Sequence, residues 1–118
     1  MECATKSQQS CNTIWKGKKK NMVNTCSTSL KGNLSRWMSY AELGNFCDNI
    51  SKNVPCKIVL INSKTNFLAN PKSALNTLSL NLNSGDDIEV VLIASSEYEL
   101  DNCVNKIKNI FKAYANLC

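Results

Sequence analysis

Apolar and polar positions along this chain alternate in two distinct rhythms. Tyr40, Leu43, Phe46, Cys47 and Ile50 recur at steps of three and four, the spacing of one helical face. Ser35 or Ser39 can cap that helix, and Asn53 and Pro55 end it. Leu100, Cys103, Val104, Ile107, Phe111 and Tyr114 repeat the rhythm near the C-terminus. There Ser96 and Glu99 have capping-box spacing, with acids at the start and lysines towards the end to match the helix dipole. Between the two stripes the period drops to two. Cys56–Ile61 reads as a short strand, with Ile58 and Leu60 on one face and Val59 and Ile61 on the other. Asn62-Ser63-Lys64 turns it into a return strand over Thr65–Ala69. Asp86–Ala94 is the clearest strand, Ile88, Val90, Leu92 and Ala94 alternating with Glu89, Val91 and Ile93.

Weaker signals complete the series. Met22–Ser29 is a threonine-rich candidate strand, closed by Lys31-Gly32-Asn33 as a loop. Ser73 is placed to cap a short helix with Ala74, Leu75 and Leu78 on its buried side, and Gly85 ends the segment after that helix. The order is therefore β-α-β-β-α-β-α. Hairpin-linked strands this few exclude a doubly wound parallel sheet. The expected fold is α+β, a four-stranded antiparallel sheet covered on one face by helices.

At 118 residues the chain has the length of one domain able to bury a core without staples. Residues 1–21 show neither rhythm and read as a poorly ordered basic leader, which leaves 22–118 as the domain. The net charge of +5 is uneven: residues 1–36 hold seven Lys/Arg against one acid (+6), and residues 37–118 hold seven Lys against eight acids (−1). The body thus has no basic face to extend Lys16–Lys20, and no specific nucleic-acid binding is expected. No apolar run reaches the roughly 20 residues of a membrane span, and no secretory signal precedes the domain.

The seven cysteines form no C-x-x-C pair, and histidine is absent. Neither a metal site nor a disulfide framework is expected, and Cys47 and Cys103 fall on apolar helix faces where free cysteine acts as a small hydrophobe. Reduced thiols in the cytoplasm are the expected state. No Gly-rich phosphate loop, paired-carboxylate arrangement or nucleophile–base pair is visible, so neither an enzyme nor a cofactor is expected. Trp37 and Tyr40 either pack on the sheet or mark an exposed contact surface.

The segment PKSALNTLSLNLNSG, Pro71 to Gly85, resembles the pattern K-S-[IL]-[MF]-x-[LV]-x-[ST]-L-x-[LIV]-x-x-G of HPr, the phosphocarrier of the bacterial sugar phosphotransferase system. Lys72, Ser73, Leu75, Ser79, Leu80, Leu82 and Gly85 fall in place, with Leu78 one position displaced. Asp86–Ala94 and Glu97–Phe111 resemble that family's last strand and C-terminal helix, and the element order is the same. The resemblance is closest over residues 57–114 and absent over 1–21. It implies an HPr-like open-faced β-sandwich, a monomer, and protein partners of phosphotransferase or catabolite-regulation type.

One departure bears on function. HPr carries phosphate on a histidine in an L-H-x-R-P segment at the start of its first helix, where free N–H groups and an arginine hold the anion. Here the stretch is Leu34-Ser35-Arg36-Trp37-Met38-Ser39, so Ser35 or Ser39 occupies the histidine position, Arg36 stands for the arginine, and the proline is missing. A serine phosphoester transfers its phosphate far less readily than a phosphoimidazole. The resemblance therefore implies loss of phosphohistidine transfer. It leaves the second family site, a regulatory phosphorylation at Ser73. It also implies partner contacts through Arg36, Trp37, Lys72, Leu75 and Leu78. The expected function is a regulatory, protein-binding module, with a structural protein lacking any phosphotransfer role as the alternative.

Overall fold

A computed structural model describes residues 25–118. The leader over 1–21 and the first residues of the expected N-terminal strand lie outside them. Seven elements succeed one another: β1 (Cys26–Asn33), α1 (Tyr40–Asn53), β2 (Lys57–Asn62), β3 (Phe67–Ala69), α2 (Ala74–Leu78), β4 (Asp87–Ala94) and α3 (Glu97–Phe111). The strands form one sheet in the order β1-β4-β2-β3, and every pairing is antiparallel. β4, the most regularly alternating strand, is central. Leu30 lies opposite Val90 on one side of it, and Leu60 opposite Val90 on the other.

The period-two pattern sorts the sheet into two faces. Leu30, Ile58, Leu60, Ile88, Val90, Leu92 and Ala94 point into a single core and are buried. On the opposite face Val59, Ile61, Val91 and Ile93 are only half-buried. α3 lies against β4 and β1, α1 against α3, and α2 against α1. Leu43, Phe46, Cys47 and Ile50 from α1 and Leu100, Cys103, Ile107 and Phe111 from α3 meet the sheet's inner face. Phe46 joins the layers, standing edge-on to Phe111 at 5.0 Å and to Tyr114 at 5.8 Å between ring centroids. Burial of each large apolar side chain of this kind contributes about 1.5–3 kcal/mol.

Several expectations are corrected. The first strand runs to Asn33, so Lys31-Gly32-Asn33 is strand and not loop. Cross-strand pairing overrides the local turn signal, because Lys31, Gly32 and Asn33 sit opposite Glu89, Ile88 and Asp87. The glycine has a packing reason: a Cβ there would stand 3.0 Å from the Asn116 carbonyl oxygen and 3.0 Å from a Leu117 methyl. That C-terminal segment also covers the outer edge of β1, since Lys31 and Cys118 exchange backbone hydrogen bonds of 3.1 and 2.9 Å. Tyr40 does not join the α1 stripe but is 80% exposed, as expected of a first-turn residue rather than a core position. The return strand is Phe67–Ala69 alone, because Thr65 and Asn66 are used in the turn, Asn66 at φ +64°.

In α2 the expected buried side holds for Ala74, which packs partly buried against the core, and fails for the two leucines. Thr77 is the buried residue, its hydroxyl donating to the Ser73 carbonyl at 2.8 Å, while Leu75 is 80% exposed and Leu78 38%. Turning Ala74 and Thr77 inward, three residues apart, turns Leu75 outward and leaves Leu78, four residues after Ala74, at the margin of the buried side. At α3, Ser96 caps by accepting from the Glu99 N–H at 3.1 Å, but Glu99 does not return the bond. Its carboxylate accepts from the Ser95 hydroxyl at 2.8 Å instead.

Cys47, Cys56, Cys103 and Cys118 are free thiols, the first three buried as expected of small hydrophobes. Cys26, at the start of the edge strand, is disulfide-bonded. The expectation of reduced thiols throughout is therefore corrected at that position. Disulfide formation depends on Cα atoms approaching to about 4.4–6.8 Å, which sequence spacing does not reveal.

Candidate functional site

The β1–α1 connection is held at both ends before any side chain of interest appears. Leu34 is fully buried, its N–H on the Asp86 carbonyl at 2.9 Å and its own carbonyl accepting from Gly85 at 2.7 Å. Gly85 supplies a φ of +89° for that turn. Met38, also buried, anchors the other end. Between them the chain wraps around Tyr114.

Ser35 donates both its backbone N–H (2.8 Å) and its hydroxyl (3.1 Å) to the Tyr114 carbonyl. It is thus tied to the C-terminal segment and does not cap the helix. Ser39 is the cap. Its hydroxyl accepts from the Glu42 N–H at 3.3 Å, and its own N–H donates to the Glu42 carboxylate at 2.9 Å. This is a complete capping box, and Ser39-x-x-Glu42 is a signature that the sequence displays openly.

Arg36 does not stand free beside the helix start. Its guanidinium lies 2.8 Å from the Glu42 carboxylate, with a second contact at 3.5 Å, and over the Tyr114 ring at 4.8 Å from the centroid. Trp37 meets the same ring edge-on, with centroids 6.4 Å apart. The arginine, the capping N–H of Ser39 and their electrostatic attraction hold the Glu42 carboxyl at about 2, well below its usual 4.5. The anion position at the α1 N-terminus is consequently filled by a carboxylate of the chain itself. Trp37 packs partly buried against the core and Tyr40 is exposed, so the two aromatics divide between the readings open in the sequence.

The second group lies around Ser73. Its hydroxyl caps α2 by accepting from the Asn76 N–H at 3.3 Å, and its backbone N–H donates to the Asn70 carbonyl at 2.9 Å. Ser73 itself is half-buried. Lys72 turns away from the helix, its ammonium donating to the Cys56 carbonyl at 3.0 Å. Leu75 and Leu78 stand exposed beyond it.

Arg36 and Trp37 therefore gather on Tyr114, and Ser73, Leu75 and Leu78 gather on α2. Among the described residues no hydrogen bond, ion pair or ring contact joins the two groups directly. α1 touches α2 where the Cys47 thiol lies 3.9 Å from the Thr77 hydroxyl. Tyr114 and Glu42 organise the first group, and sequence reasoning does not single them out as site residues. In the sequence Tyr114 has only its place in the apolar stripe. No cluster of metal-ligating side chains is present among the described residues, and no helix there is long and apolar enough to cross a membrane. No protein-family model matches the chain, and no curated protein matches it.

Proposed function

We propose that this chain is an HPr-like, non-catalytic binding module that docks on protein partners through the exposed face of α2 and the start of α1. The observation that carries the reading is the outward face of α2: an exposed Leu75 and a partly exposed Leu78 directly after a capping serine. A five-residue helix that buries only Thr77 and leaves its two leucines to solvent gains little from them unless a partner covers them. The sheet order β1-β4-β2-β3 and the β-α-β-β-α-β-α sequence of elements support an open-faced sandwich of this type. Partners of phosphotransferase or catabolite-regulation type, a monomeric state and bacterial carbon regulation belong to the same reading, as does a cytoplasmic location. The disulfide at Cys26 weighs against that location, because such bonds are rare in reducing compartments.

Ser73 is the regulatory site in this reading. Phosphorylation there would place about two negative charges beside the exposed leucines and alter what docks on them. Incubation with an HPr serine kinase and ATP should label Ser73 and leave a Ser73→Ala variant unlabelled. Incubation with the general phosphotransferase enzyme and phosphoenolpyruvate should label nothing. Absence of label in both assays removes the regulatory version, and acid-labile label in the second overturns the loss of phosphotransfer.

A second reading has its own support. The Arg36–Glu42 pair occupies the start of α1, the position at which the family carries its transferable phosphate, which favours a structural or interaction protein without any phosphotransfer role.

A further inference from the structure

β3 covers only part of its neighbour. Residues 60–62 of β2 pair with 67–69, whereas Lys57, Ile58 and Val59 pair with β4 alone. The chain leaves the sheet at Asn70-Pro71, where proline supplies no N–H and disfavours helical geometry at the residue before it. It then crosses to α2, leaving a groove of about 430 Å³ between the first half of β2 and the start of that helix. The size is within the ordinary range of small-molecule sites, about 300–1,000 Å³.

The lining is one-sided in its chemistry. Lys57 and Lys72 contribute two ammonium groups, and no carboxylate lines the groove. Asn70 and Asn76 contribute amides whose oxygens are already engaged: Asn70 Oδ1 accepts from the Lys72 N–H at 2.9 Å, and Asn76 Oδ1 accepts from the Asn70 N–H at 2.7 Å. Their Nδ2 donors have no partner among the described residues. Lys72 is held in place by the Cys56 carbonyl at 3.0 Å, which takes up one of its three donors. Val59 and Leu68 form an apolar wall, Leu68 being 61% exposed. Four donor groups and an apolar wall suit a ligand with acceptor oxygens, negative charge and a greasy body.

We propose that this groove binds a small organic carboxylate with an aliphatic or aromatic body, its oxygens on Lys57, Lys72 and the two asparagine amides and its body on Val59 and Leu68. The site borrows Lys72 and Asn76 from the neighbourhood of α2 but uses neither Leu75, Leu78 nor the Tyr114 cluster.

Nuclear magnetic resonance of the isotope-labelled full chain tests the proposal, with hexanoate and benzoate as probes and hexan-1-ol as the uncharged control. At least one carboxylate should give saturable shifts of the Asn70 and Asn76 side-chain amides and of the Lys57–Val59 backbone, with millimolar or tighter affinity. Lys57→Gln and Lys72→Gln, each confirmed folded by its spectrum, should each weaken that binding about tenfold, the scale of one charged hydrogen bond. The proposal is overturned if neither carboxylate saturates, if hexan-1-ol shifts the same signals with the same midpoint, or if both variants bind like the parent.

Discussion

The guanidinium of Arg36 and the carboxylate of Glu42 lie 2.8 Å apart at the start of α1, and the same carboxylate accepts the Ser39 N–H at 2.9 Å. The pair is half-exposed, so its energetic weight is modest, but its position is telling. A carboxylate in this place satisfies the helix start and the arginine together, and repels any second anion.

The first prediction comes from that geometry. Glu42 should titrate near 2, below its usual 4.5, and Arg36→Leu should move it upwards. The shift is a depression. Its stabilising contribution is therefore present above the ordinary carboxylate range and is lost as the pH falls from about 4.5 towards about 2. In Glu42→Gln, which keeps a side chain able to close the capping box, stability should fall less steeply across that window than in the parent. Carboxyl-carbon titration by magnetic resonance reads the value directly. A midpoint near 4.5 in the parent would remove the ion pair from the solution structure.

Thiol chemistry gives the second. Cys118 is exposed, whereas Cys47, Cys56 and Cys103 are buried. Burial pushes the Cys47 thiol up, and burial together with the neighbouring Cys103 thiol pushes Cys56 to about 12. Since the thiolate is the reactive species, iodoacetamide at pH 8 should alkylate Cys118 first among these four. The other three should react only after denaturant is added. Peptide mass mapping over time distinguishes the cases, and early modification of Cys56 would contradict the packing described.

How far the sequence alone displays these features differs from residue to residue. β4 and α3 are legible because a buried face repeats every two residues in one and every three or four in the other, and burial is what the pattern records. Ser73 is legible as a cap because capping is local. Gly32 is not, since its meaning depends on Asn116 and Leu117, which pack on it from the far end of the chain. Leu75 and Leu78 mislead for a related reason: an apolar side chain on a five-residue helix states no preference between core and partner. Arg36 stands out as a site residue, but its engagement depends on Glu42 and Tyr114 being brought beside it. The disulfide at Cys26 is likewise a matter of distance rather than of spacing.

Asn62 supplies the third prediction. It is almost fully buried, its amide donating to the Leu80 carbonyl at 2.9 Å and its oxygen accepting from the Lys64 N–H at 3.1 Å. One side chain thereby shapes the β2–β3 turn and ties the segment after α2 to the sheet. Asn62→Ala leaves the Leu80 carbonyl without its partner and should cost about 1–3 kcal/mol in urea denaturation. Asn62→Leu should be no better, because the polar backbone groups remain. A loss below about 0.5 kcal/mol in both would mean that water replaces the side chain freely.

Phe46 and Phe111 provide the last. Their rings meet edge-on at 86° with centroids 5.0 Å apart, and Phe111 is fully buried. Phe111→Ala should cost about 3–5 kcal/mol through lost burial and the cavity left behind. That is a large share of the ~5–15 kcal/mol that typically holds a domain together, so the alanine variant risks unfolding outright. The informative experiment therefore uses leucine at both positions, which keeps apolar volume while removing the ring pair. Phe46→Leu, Phe111→Leu and the double variant form a cycle whose coupling should be about 0.5–1.5 kcal/mol, the range for a well-placed aromatic pair. Tyr114 also meets Phe46 edge-on, at 5.8 Å, so a repeat of the cycle in a Tyr114→Leu background should change the coupling. A coupling of zero in both backgrounds would show that the helices meet through shape and burial alone, and that Phe46 is not the joint between the core and the Tyr114 cluster.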